Sequence, residues 1–251
     1  MVHASKPGGV AATPLPEEPP AGRGAPRRRW RRAAIPVLLA LCVAFLAVEL
    51  PAYLGFDPAA SRVPIRQSYP LHYPLLVAHI LFGSVALVAG CLQIWPLLRR
   101  RHPVLHRWTG RVYLFGGVFP AGIAVLGVAP VSSTGFVSAV GNTMLAVLWL
   151  VTSIAGYRAA RGRRFGEHRA WMVRSFALTL SIVVNRVWLV LFIVLLAPAT
   201  STLYGGDEAA MIQAAAGASV WTSWVVNLLV AEWWLQRRPR RGARGPRARA
   251  A

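Results

Sequence analysis

Six predominantly apolar runs, each near the length of a membrane-spanning helix, alternate along the chain with short polar segments. They cover residues 33–54, 73–98, 108–129, 136–157, 170–197 and 211–235. None shows the two-residue alternation of a barrel strand, and a backbone crossing lipid must satisfy its own hydrogen bonds. The pattern therefore predicts an all-α fold, an integral membrane bundle of six transmembrane helices. The fifth run exceeds the bilayer core and is expected to tilt or protrude.

Composition supports this reading and charge orients it. With 55% hydrophobic residues in a chain of 251, the protein is too apolar for an ordinary soluble domain. A formal net charge of +20 would suggest nucleic acid in a soluble protein, but here the arginines sort by loop. Arg27, Arg28, Arg29, Arg31 and Arg32 precede the first run, and Arg99, Arg100, Arg101 and Arg107 lie between the second and third. Arg158, Arg161, Arg163, Arg164 and Arg169 lie between the fourth and fifth, and seven more arginines follow residue 235. The alternate loops carry Arg62 and Arg66, then no basic residue at 131–135, then Asp207 and Glu208. By the positive-inside rule both termini are cytoplasmic, and the Arg-rich face is expected to attract anionic lipid. Nucleic acid is not an expected partner, because no aromatic-interleaved basic module accompanies the charge.

The domain reading follows: a basic, disordered tail at 1–32, a transmembrane domain at 33–235 and a second basic tail at 236–251. A basic segment before an apolar run also fits an export signal. That run is long, however, and has no A-x-A site before Pro51, so the first helix reads as a retained anchor. Cys42 and Cys91 both fall inside spans, with no metal-binding spacing, and read as buried thiols. No hydrolase, nucleotide-binding or metalloprotease motif is present.

One pattern occurs twice. His106, Arg107, Trp108 and Arg111 open the third run, and His168, Arg169, Trp171 and Arg174 open the fifth. A shift of 62 residues lays His106 on His168 and Arg107 on Arg169; after a one-residue insertion the Trp and second Arg also coincide. Hairpins 2–3 and 4–5 thus read as a candidate parallel repeat. Three readings of the doubled histidine stand side by side. The residues can be interfacial, since His, Arg and Trp suit the headgroup layer. His106 and His168 can ligate the iron of a b-type haem, with Arg107, Arg111, Arg169 and Arg174 meeting its propionates. Or these arginines can hold lipid headgroups or other anions.

Depth separates a third histidine from this pair. His79 lies roughly 10 Å below the outer end of its helix, nearly 30 Å from the level of His106 and His168. It belongs with Glu49 and Arg186, which fall in the same outer half and form the natural ion pair, with Asn185 adjacent. This cluster reads either as a lock between the first and fifth helices or as a polar cavity. Glu232 is expected to bridge to Arg111 or Arg174. Ala86, Gly90, Gly117 and Ala121 permit close helix contacts, and Pro120 should kink the third helix.

Through LHRWTGRVY and EHRAWMVRSFAL, with His79 before and Asn185-Arg186 after, the chain resembles a bacterial family of multi-pass membrane proteins, domain of unknown function 2306. The resemblance covers roughly residues 78–186. It implies a helical integral membrane protein without an established reaction, and picks out His79, His106, Arg107, Arg111, His168, Arg169, Trp171 and Arg186. The expected function is haem b binding or membrane redox chemistry at the cytoplasmic-side histidines, with a respiratory or redox partner. The alternative is a cofactor-free small transporter or lipid-interacting scaffold. The strong preference for Arg over Lys points to a high-GC bacterial genome and so to the plasma membrane.

Overall fold

A computed structural model describes residues 25–237, with side chains described from residue 34 onward. Most of the two proposed tails, residues 1–24 and 238–251, lies outside the described residues. Helix α1 runs Ala25–Glu49 and takes in part of the basic segment, because Ala and Arg favour helix and Pro26 sits in its first turn. α2 is His72–Ile94, α3 is Pro103–Val131, α4 is Phe136–Arg161, α5 is Phe165–Leu196 and α6 is Glu208–Gln236.

Among the described residues, α2 to α6 are long and apolar enough to cross a membrane. The first apolar helical stretch, Ala34–Glu49, is shorter than those five. Pro51 divides the first apolar run: it lacks the N–H that would continue the ladder, and a separate short helix, Pro51–Leu54, follows. Beyond its own length, α5 continues as helical turns to Leu203, and only 11% of its most apolar window is buried within the protein. Val187, Val190, Val194 and Leu195 are each more than 60% exposed, a surface that suits lipid and not water.

Helices α2 to α6 share a core cluster containing Ala86 and Ala89 of α2, Tyr113, Leu114, Val118 and Ala121 of α3, Trp149 of α4, Leu178 of α5 and Trp224 of α6. Small residues set the closest approaches. A Cβ on Gly117 would lie 2.8 Å from the Ala86 backbone, so α2 and α3 meet here only because Gly117 has no side chain. Within α3 the ladder widens to a π turn at Leu114–Val118, where the N–H of Phe119 donates to the carbonyl of Leu114. Pro120 follows at once, and its missing N–H agrees with the irregularity expected there. α1 meets α2 where Cys42 and Cys91 lie with sulfurs 3.7 Å apart, both free and fully buried.

α3 and α5 run parallel. The Tyr113 hydroxyl bonds Ser175 Oγ at 2.6 Å and Thr179 Oγ1 at 2.8 Å, while further down the helices His106 lies within electrostatic reach of His168. Beyond the one-residue insertion the repeat aligns Tyr113 with Phe176, so Tyr113 bonds the residue next to its equivalent position.

Candidate functional site

Polar groups concentrate in two layers, one toward the arginine-rich end of the bundle and one toward the opposite end. The first is built on the Tyr113–Ser175 contact. His106 precedes Tyr113 by seven residues, and His168 precedes Ser175 by seven. Seven residues return to nearly the same helix face, so each histidine lies on the side of its helix that makes this contact, roughly 10 Å from it.

His168 Nδ1 lies 2.8 Å from the carbonyl oxygen of Gly156. A carbonyl only accepts, so Nδ1 carries the proton and Nε2 is left with its lone pair. Gly156 makes this possible, since a Cβ there would meet Met172 Sδ at 2.6 Å and push α5 from α4. His106 is half-buried, and its Nδ1 is enclosed with no hydrogen-bond partner among the described residues. Gln93 of α2 holds the adjoining backbone, donating to the His106 carbonyl at 2.8 Å and contacting Thr109. Arg99 is also within electrostatic reach of His106.

The arginines surround this layer in a repeated way. Arg111 lies over Trp108 at 5.0 Å and Arg174 over Trp171 at 4.8 Å, the same i,i+3 pair in both copies. Arg174 also makes a two-point ion pair with Glu232, with Nη2 to Oε2 at 3.0 Å, choosing between the two partners left open by the sequence. Arg169 lies over Trp234 at 5.5 Å, and Arg107 is exposed. Among the described residues no group of three or more His, Cys, Asp or Glu could hold a bare metal ion.

The second layer surrounds a cavity of about 540 Å³. Glu49 accepts from Arg186 Nε at 3.1 Å, and Arg62 Nη1 lies 3.4 Å from its other oxygen. Arg186 also donates to Asn185 Oδ1 at 3.3 Å, and Asn185 Nδ2 donates to Ser219 Oγ at 3.0 Å. One chain of bonds thus ties α1, α5 and α6. His79 lines the same cavity but does not join that chain: its Nδ1 donates to the carbonyl of Ala121 at 3.0 Å. Its Nε2 has no partner among the described residues. His72, at the start of α2, is fully buried and accepts the Arg66 N–H at 2.7 Å.

Between the layers lies a hydroxyl network that sequence reading missed. Ser153 bonds Ser175 at 2.8 Å, and Trp149 Nε1 donates to Thr179 Oγ1 at 2.9 Å, so Tyr113 joins α3, α4 and α5. Part of its signal was present: Ser175 and Thr179 share a helix face. Hydroxyls alone seldom attract notice in an apolar run.

A family profile described as "Predicted membrane protein (DUF2306)" matches residues 76–235 of the chain. No curated protein and no solved structure matches it significantly.

Proposed function

The chain belongs to the DUF2306 family of membrane proteins, and from that premise we propose that it is a membrane redox protein carrying one b-type haem between His106 and His168. The observation that carries this reading is that α3 and α5 meet at the Tyr113–Ser175 bond, with His106 and His168 each seven residues before it. His168 supports it further, because its Nδ1–H is fixed by the Gly156 carbonyl and its Nε2 is left as a ligand, the usual orientation of a metal-bound histidine. His106 supports it through an enclosed ring nitrogen that lacks a protein partner.

Bound there, haem would supply one-electron transfer. The protein's part is to orient the two rings through Gly156 and Gln93 and to offer guanidinium groups to carboxylates. Arg107 and Arg111 on α3 and Arg169 and Arg174 on α5 are the residues for that role. The reading places the protein in a bacterial plasma membrane, its Arg-rich loops against anionic lipid, with a respiratory or redox partner as electron source or acceptor.

The test is a reduced-minus-oxidised spectrum of protein purified after expression with haem supplied. A Soret and an alpha band are expected, with both lost in the double variant His106→Ala, His168→Ala. Absence of a chromophore in the natural protein, or full haem occupancy in the double variant, rejects the reading. A cofactor-free transporter or lipid scaffold is then the alternative, favoured if anionic lipid copurifies without a chromophore.

A further inference from the structure

The cavity at the end opposite the arginine-rich loops is independent of the histidine pair, and its lining carries an unbalanced charge. The charged groups in its wall are Glu49, Arg62 and Arg186: two guanidiniums to one carboxylate. Both arginines share the one carboxylate and keep nearly half of their side chains exposed, 47% for Arg62 and 41% for Arg186, which leaves them open to a further anion. Two further polar groups are also incomplete. Ser138 Oγ is buried in the wall without a hydrogen-bond partner, and Asn142 lines the cavity with no side-chain bond among the described residues. Most of the remaining wall is apolar, including Phe45, Leu76, Ile80, Leu145 and Ile182. The volume falls within the usual range for small-molecule sites.

We propose that this cavity binds a monoanionic amphiphile, a carboxylate on an apolar chain. The carboxylate completes the charge of Arg62 and Arg186, since a planar guanidinium presents paired donors to it. Ser138 and Asn142 donate to its oxygens, and the apolar tail lies along the α2, α4 and α5 walls. A single surplus cation selects a single negative charge.

Trp149 lines the cavity and supplies the readout. The full-length protein in nanodiscs of zwitterionic lipid is titrated with 12-bromododecanoate, and tryptophan quenching is followed. A saturable component is expected, absent in Trp149→Phe. The methyl ester of the probe and the short acid 4-bromobutyrate should each bind at least about tenfold more weakly. Arg186 ties α1 to α5, so its loss risks misfolding; Arg62→Gln leaves that tie in place and is the decisive variant. It should weaken the acid by about tenfold and leave the ester unchanged, removing the preference for charge. Equal binding of acid and ester in the natural protein overturns the proposal, as does unchanged acid affinity in Arg62→Gln. So does bromobutyrate binding as tightly as the long-chain acid, or a saturable component that persists in Trp149→Phe. None of these outcomes bears on the haem spectrum.

Discussion

The two polar layers of this bundle differ in how much of each is local. At the arginine-rich end two pairs lie within one helix, Arg111 on Trp108 and Arg174 on Trp171, beside the long-range contacts of Arg174 with Glu232 and Arg169 with Trp234. At the other end Glu49 meets Arg186 across 137 residues, and Asn185 reaches Ser219 on the next helix. The second surrounds a cavity, and its bonds hold the surrounding helices in place. A pair within one helix can be lost without loosening the bundle; a pair that joins distant segments cannot.

The comparison breaks most severely at the seam between the layers. Gly117 lies in the π turn between Tyr113 and Ala121, so Gly117→Leu would push α2 away and disturb both layers together. A loss of about 3 kcal/mol is expected, read as a lowered unfolding midpoint in detergent; an unchanged midpoint would mean that the close approach is not needed. Glu49→Gln acts on the cavity layer alone. It leaves Arg186 and Arg62 without their carboxylate and should cost about 2 kcal/mol, while any haem spectrum stays as in the parent. A shifted spectrum would show that the layers are coupled.

Tyr113→Phe tests the link between them. Removing one hydroxyl shared by Ser175 and Thr179 should cost about 1 kcal/mol, because both partners keep other bonds. Wild-type stability in this variant would remove the network from the account. Arg111→Gln is expected to have the smallest effect, about 0.5 kcal/mol for an exposed cation–π pair. A cost comparable to Glu49→Gln would erase the distinction between local and distant pairing.

Much of the fold was legible in the sequence. Apolar length identified five of the helices directly, and only the first departed, because Pro51 interrupts it. The Glu49–Arg186 pair was legible from depth counting, since two opposite charges at one level in lipid have few other partners. Arg62 as the second cation on Glu49 was not, because a loop arginine carries no depth. Gln93 was missed for a similar reason: at the end of α2 it looks interfacial, and its hold on the His106 carbonyl exists only once α3 folds back. The bond of His79 to the Ala121 carbonyl was not legible either, because it depends on the register of α2 against α3.

Hydrophobic length and helical period are local properties, so the sequence alone determined the all-helical membrane bundle and the i,i+3 spacing of the Trp–Arg pairs. Direction around a helix axis acquires meaning only when a neighbour is present. The tertiary structure therefore decided that His168 meets the Gly156 carbonyl, that Tyr113 ties α3 to α5 and that a cavity opens beside Glu49. The physical reason is that helix contacts here rest on close approach and hydroxyl bonding, and both are properties of pairs of helices.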